Sequence, residues 1–170
     1  MTTMDIRVGL GHDTHRLEEG RPLILGGITI EHSHGLAGHS DGDIVLHALT
    51  DAILGAIGAG DIGELYPDTE ATWKGADSRI FIEGALARMQ GLGYEVVNTD
   101  IIIHAQRPKL GPDKERIRDH VAALLAVEPD RVNIKAKTGE KVGHIGRLEA
   151  MACQAVVLLQ RDLRGRDHGF

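Results

Sequence analysis

Asp13 and His15 stand two apart in a segment that leaves a short strand. In extended backbone residues i and i+2 point to one side, so these two side chains can share an ion. His47 falls in a stretch where Leu46, Leu49, Ile53, Ala56 and Ile57 recur at helical spacing. On that helix Asp43, His47 and Asp51 are four apart and form one polar stripe. Two imidazoles and a carboxylate, from a strand end and a helix, are the donor set of an open zinc site, with a fourth position left for substrate. Asp51 would then stand behind His47 and orient it. A plain solvent-facing stripe explains the helix equally well, and spacing alone leaves both readings open.

His39-Ser40-Asp41-Gly42 opens the same helix, where free N–H groups and the positive end of the dipole suit an anion. Ser40, with Asp43 three residues on, also reads as a simple N-cap, and His39, like His32 and His34, as a surface histidine. The run Ala136-Lys137-Thr138-Gly139-Glu140-Lys141 follows a predicted strand. It suits a phosphate together with a harder cation such as magnesium, or an ordinary exposed strand end. Ala105 to Pro112 makes a rigid basic loop fit for a nucleotide or for a turn. Residues 60–69 form a long loop, which in a small domain is usually functional. There is no Gly-x-x-x-x-Gly-Lys-Ser/Thr, and Gly9-Leu10-Gly11 does not continue into Gly-x-Gly-x-x-Gly, since Thr14 stands at its last position.

The elements that must position these residues read as follows. A strand at 6–11 runs into a glycine-loosened end, and 22–25 and 28–30 form a hairpin about Gly26-Gly27. A helix runs from Ser40 to Gly58 or Gly60. A second spans 77–90, with Ile80, Ala85, Leu86 and Met89 inward, and a third 112–126. Strands follow at 96–104, 132–137 and 149–159. The expected fold is α+β: a mixed β-sheet with helices packed on one face plus a small N-terminal hairpin. The length of 170 residues fits a single domain over 1–160, with a charged, frayed tail at 161–170. A net charge of −6 excludes a general nucleic-acid or membrane-surface binder, since both partners are polyanions. The N-terminus lacks a signal peptide and no apolar run reaches the roughly 20 residues of a membrane span, which predicts a cytoplasmic protein. Cys153, the one cysteine, rules out an internal disulfide and reads as a buried thiol.

Taken in order, the motifs resemble one family. Gly9-Leu10-Gly11-His12-Asp13-Thr14-His15-Arg16, Leu25-Gly26-Gly27, His39-Ser40-Asp41-Gly42-Asp43 and His47 to Ala52 are similar to 2-C-methyl-D-erythritol 2,4-cyclodiphosphate synthases. So are Gly60-Asp61-Ile62-Gly63, Tyr66-Pro67-Asp68-Thr69, Lys74 to Ser78, Ala105-Gln106-x-Pro108-Lys109 and Thr138-x-Glu140-Lys141. The resemblance implies zinc, one per subunit, on Asp13, His15 and His47, and magnesium or manganese on Glu140 with the diphosphate. It implies catalytic roles for His39 and Thr138 and phosphate contacts from His39 and Ser40, with Thr14, Gly139, His144 and Arg147 among the substrate contacts. Asp61, Ile62, Gly63 and the loop Tyr66, Pro67, Asp68, Thr69, Glu70 would meet the methylerythritol. Ala105, Lys109, Leu110 and Gly111, with Ala136, Lys137 and Thr138, would hold cytidine. It implies a homotrimer with active sites between subunits, and allows an isoprenoid diphosphate in the central cavity. The chain departs from the pattern at Lys137 and Gly139, where relatives often carry threonine, and at His144, where an aromatic is common. Two other functions fit the residues: a zinc-dependent nucleotide phosphohydrolase, and a non-catalytic trimeric isoprenoid-phosphate binder with structural metal. Structural zinc sites, however, are normally closed by four protein ligands, and three are evident here.

Overall fold

Residues 4–67 and 69–163 are described by a computed structural model of the chain. Its longest strand, β1 (Met4–Glu19), extends well past the expected residues 6–11 because it pairs twice. From Met4 to Arg16 it runs antiparallel to β7 (Ala150–Asp162), and from Leu17 to Glu19 it pairs with the short β4 (His34–Leu36). Asp13 and His15 therefore lie within a strand rather than in a loop leaving one. Gly9 and Gly11 do not loosen its end. A Cβ at Gly9 would lie 1.8 Å from the Ala52 carbonyl oxygen, and one at Gly11 would lie 1.8 Å from that of Ala48. The glycines let the strand lie directly on the backbone of a helix.

That helix is α1 (Ile44–Ile57). Its N-cap is Asp43 and not Ser40: the Asp43 carboxylate accepts from the N–H groups of Val45 and Leu46. The same carboxylate accepts from Gly26 and Gly27 at 2.9 and 2.6 Å, tying the hairpin of β2 (Leu23–Leu25) and β3 (Ile28–Ile30) to the helix start. Gly26 and Gly27 both take positive φ, as the tight turn requires. Gly58, in left-handed conformation, ends α1 as expected. Eleven of its fourteen residues are buried, so α1 is a core helix and its polar stripe does not face solvent.

α2 (Ile62–Leu65) is followed by α3 (Arg79–Gly91), β5 (Glu95–His104), α4 (Lys114–Leu125), β6 (Val132–Lys137) and α5 (Gly143–Gly146). Of these, α3, β5, α4 and β6 match the predicted alternation, whereas the short α2 lies inside the expected loop and the short α5 was not expected. The five-stranded sheet is mixed, with order β4-β1-β7-β5-β6, and only β5 and β6 are parallel. In α3 Phe81, Ile82, Ala85, Leu86 and Met89 point inward, whereas Ile80, expected inward, is 44% exposed. Helix α4 begins two residues late, behind a 3-10 turn at Gly111–Asp113 that takes up Pro112. The helices cover one face of the sheet. On the other, Ile6, Val8 and Leu10 are 61, 68 and 66% exposed. β7 continues to Asp162, and Arg161 pairs with Asp5 at 2.8 Å, so the first residues of the expected tail belong to the sheet. The rest of that tail, from 164 on, lies outside the described residues. Cys153 is fully buried, and burial pushes its thiol well above the ordinary range, which leaves it unreactive.

Candidate metal centre and substrate pockets

Side-chain alternation along β1 turns Asp13 and His15 toward α1 and leaves Thr14 exposed on the outer face. From α1, His47 reaches back to meet them and is 8% exposed. Asp13 Oδ2 stands 3.0 Å from His15 Nε2 and 2.9 Å from His47 Nδ1. Ligand atoms of a tetrahedral zinc with bonds of ~2.0–2.1 Å are about 3.3 Å apart; the two Asp13 separations are close to that, and all three ligand atoms lie within 4.8 Å of one another. Burial alone would raise the Asp13 carboxyl, but the His15 and His47 imidazoles packed against it outweigh burial and hold the group well below the usual carboxylate range. His15 is raised in turn, chiefly by its bond to Asp13.

His15 bears most directly on whether the triad fits a cation. Its Nδ1 contacts the Ala37 carbonyl oxygen, which can only accept, so Nδ1 carries the hydrogen. The lone pair on Nε2 then faces the Asp13 carboxylate, and two acceptors at 3.0 Å require a proton or a metal between them. On His47, Nε2 lies 2.8 Å from Ser78 Oγ and 3.1 Å from Ser40 Oγ. Asp51, expected to orient His47, instead accepts the N–H of Ile62 at 2.8 Å and anchors the loop that follows α1.

Above the triad opens a cavity of about 410 Å³. His39 and Ser40 line its polar side, and Ile62, Gly63, Tyr66, Pro67 and Thr69 the loop side. His39 Nε2–H donates to the Glu70 carbonyl at 3.2 Å. Asp61 caps α2 through the Glu64 N–H, and Asp68 lies outside the described residues. The far wall is aromatic: Tyr66, Trp73 and Phe81 pack with ring centroids 4.9 to 6.0 Å apart. Trp73 and Phe81 were not anticipated as site residues. Three of the chain's five aromatics gather here, but their scattered positions give no periodic signal.

A second cavity, of about 400 Å³, is lined by Ala105, Lys109, Leu110, Gly111 and residues 136–138. Thr138 Oγ1 donates to Glu140 Oε1 at 2.9 Å, and Glu140 sits exposed at positive φ. Gly139 is a packing glycine, since a Cβ there would meet Gly146 N at 2.5 Å. Arg147 pairs with Glu149 at 2.7 Å, and neither it nor His144 lines either cavity. The two cavities share no residue, so His39 and Thr138 are not brought together within one chain. Sheet order places β1 and β6 three strands apart, about 14 Å at ~4.8 Å per strand.

The family model described as YgbB matches residues 6–160. The 2-C-methyl-D-erythritol 2,4-cyclodiphosphate synthase of Bordetella avium is 55% identical over 159 residues, covering 94% of this chain and 98% of that protein. The chain belongs to the 2-C-methyl-D-erythritol 2,4-cyclodiphosphate synthase family. Solved structures agree. A synthase of this family in a CDP-bound form superposes with a TM-score of 0.83 at 41% identity, over 90% of this chain and 99% of that one. The bifunctional IspDF of Campylobacter jejuni matches with a TM-score of 0.90 at 45% identity, over 94% of this chain and 43% of that longer one. The chain is thus a cyclodiphosphate synthase by family, a phosphorus–oxygen lyase of isoprenoid biosynthesis, and the phosphohydrolase and non-catalytic readings are not favoured.

Proposed function

We propose that the chain converts 4-diphosphocytidyl-2-C-methyl-D-erythritol 2-phosphate into 2-C-methyl-D-erythritol 2,4-cyclodiphosphate and CMP. Zinc would sit on Asp13, His15 and His47, and magnesium or manganese on Glu140. The observation that carries the reading is the His15 lone pair, fixed by Ala37 and turned on the Asp13 carboxylate at the mouth of an aromatic-walled cavity. In the reaction an oxygen of the substrate's 2-phosphate bonds to the β-phosphorus. The bond from that phosphorus to the bridging oxygen breaks, and its electron pair leaves on the phosphate of CMP. No protein nucleophile or water is consumed. Bound divalent cations supply charge neutralisation on the diphosphate oxygens.

The chain's own groups hold and fold the substrate. Tyr66, Trp73 and Phe81 offer an apolar wall to the methylerythritol, with Ile62 and Gly63 beside it. Ser40 presents a hydroxyl to phosphate oxygens, and His39 and Thr138 would donate to them by exchanging their present acceptors, the Glu70 carbonyl and the Glu140 carboxylate. The second cavity takes cytidine, with Lys109 and Lys137 near the nucleotide phosphate. Because the two cavities share no residue within a chain, a homotrimer in which one copy's cytidine cavity meets its neighbour's metal is part of this reading. The exposed strip Ile6, Val8 and Leu10 supports it, as an apolar sheet face that a second copy would cover. An isoprenoid diphosphate in the cavity enclosed by three copies, and a cytoplasmic location, complete the proposal. No helix among the described residues is long and apolar enough to cross a membrane. The test is incubation of metal-replete protein with the diphosphocytidyl substrate in 18O-water. CMP and unlabelled cyclic diphosphate are expected; a linear, labelled phosphate would mean a hydrolase.

A further inference from the structure

Ser78 occupies the N-cap position of α3, yet its hydroxyl makes no hydrogen bond to that helix. A serine there ordinarily accepts a free N–H of the first turn. Here the hydroxyl is fully buried and committed elsewhere. Ser78 Oγ donates to Asp41 Oδ1, and Ser78 N–H donates to Asp41 Oδ2 at 3.0 Å. Asp41 Oδ1 also accepts from Asp43 N–H at 3.1 Å, and Asp41 N–H donates to the Ala76 carbonyl at 3.0 Å. The carboxylate is thereby clamped between the start of α1 and the segment before α3, with both oxygens acting as acceptors.

A serine hydroxyl has one proton. With that proton given to Asp41, Ser78 Oγ can only accept from its remaining neighbours, His47 Nε2 at 2.8 Å and the more distant Ser40 Oγ at 3.5 Å. Nε2 must then carry the hydrogen, and the lone pair is left on Nδ1, 2.9 Å from Asp13 Oδ2. This order is opposed locally. The Asp13 carboxylate would by itself draw a hydrogen onto Nδ1, in a charge-assisted bond that blocks the nitrogen. Ser40 Oγ, 3.1 Å from Nε2 and accepting from Gly42 N–H, does not make the choice, because its own proton is not taken by a carboxylate.

We infer that Asp41 and Ser78 are positioning residues that hold His47 in the Nε2–H tautomer, so that Nδ1 is presented bare to the ion. His15 receives the equivalent instruction from the Ala37 carbonyl. One imidazole is thus set by backbone and the other by a carboxylate–hydroxyl pair, and neither Asp41 nor Ser78 touches the ion. The inference rests on the zinc reading of the triad.

Zinc affinity, measured by chelator competition on the intact protein, and the histidine 15N shifts of the zinc-free protein test it together. Ser78→Ala is expected to weaken zinc binding by roughly 10–100-fold, as loss of such outer partners does, and to move His47 toward the Nδ1–H form. Ser78→Thr, which keeps the hydroxyl, should restore most of both. Asp41→Asn, whose amide can donate to Ser78 Oγ and free its proton, should act in the same direction and serves as the second variant where Ser78→Ala fails to fold. A purely structural role would lower the melting temperature of the zinc-free variants while leaving zinc affinity and tautomer unchanged, and that result overturns the inference. If the wild-type protein itself binds no zinc, the metal reading fails; if it binds zinc and Ser78→Ala binds it as tightly, the relay alone fails.

Discussion

Gly11→Ala sets a methyl carbon 1.8 Å from the Ala48 carbonyl oxygen, 2.7 Å from Ala52 N and 2.8 Å from the Ala48 carbonyl carbon. These are backbone atoms of α1 and cannot rotate aside. Comfortable contact lies near 3.5 Å, so β1 and α1 must part by on the order of 1.5 Å. Gly11 is two residues from Asp13 on the strand, and Ala48 adjoins His47 on the helix. The displacement therefore falls across Asp13 Oδ2 and His47 Nδ1, now 2.9 Å apart. Metal–ligand distances tolerate about 0.2 Å, several times less than the shift. Zinc affinity is expected to fall at least 100-fold, and overpacking to cost about 2–4 kcal/mol. The assays are zinc competition titration and thermal melting of zinc-free and zinc-loaded protein. Gly55→Ala, on the same helix with nothing near its added Cβ, is the control and should stabilise slightly, by about 0.5–1 kcal/mol. A Gly11→Ala protein that binds zinc within threefold of wild type and melts within 2 °C of it, roughly the shift ~1 kcal/mol produces, would refute the reasoning.

Asp13→Asn and His47→Ala should each abolish CMP release and lower zinc content after dialysis; full retention of zinc by either removes that residue from the centre. Asp43→Ala strips the cap of α1 and leaves the Gly26 and Gly27 N–H groups unpaired. The expected loss is about 2–4 kcal/mol in denaturant unfolding, and an Asp43→Ala protein of wild-type stability would show that the tether carries nothing. In the zinc-free protein the Asp13 carboxylate raises His15 above its ordinary 6.5. A raised folded-state value gives stability that is complete below pH 6.5 and lost as pH climbs through the folded value. Zinc-free protein should therefore melt lower at pH 8 than at pH 6, while His15→Gln should flatten that difference; an equal slope in both would exclude His15 as its source.

Much of the architecture was legible because it depends on local rules. The Gly26-Gly27 turn, the α1 periodicity and the β-branched run of β5 each specify an element without reference to the rest of the chain. The candidate metal triad was legible too, since Asp13, His15 and His47 are all of ligand type and two of them share a strand face. What escaped depended on long-range partners. Ser40 and Asp43 look like one capping pair in sequence, but only the hairpin shows why Asp43 is the cap: its carboxylate must satisfy Gly26 and Gly27 as well. Asp51 sits on the stripe with His47, yet the loop at Ile62 claims it. Ile80 satisfies helical spacing and still faces solvent, because Phe81, at a neighbouring angle, fills the space against Tyr66 and His47. Helices of four residues, such as α2 and α5, are too short for periodicity to register.

Charge orders how such a site must fill. A protein of net charge −6 has to receive a substrate that is itself a polyanion. Without metal, the first cavity offers that substrate the Asp13 carboxylate, held ionised by its histidines, and among the described residues no lysine or arginine lines it. A divalent ion on the triad reverses the local sign, so affinity for the phosphates in that cavity depends on the metal. The second cavity differs: Lys109, Lys114 and Lys137 line it, and none of its residues belongs to the triad. CMP, whose base and phosphate need only the second cavity, should bind zinc-free and zinc-loaded protein with dissociation constants within about twofold by calorimetry; in free energy that is about 0.4 kcal/mol. The full diphosphocytidyl substrate should lose at least tenfold in affinity when zinc is removed. If CMP binding vanishes along with zinc, the two cavities are not independent subsites, and the assignment of cytidine to the Lys109–Lys137 cavity is wrong.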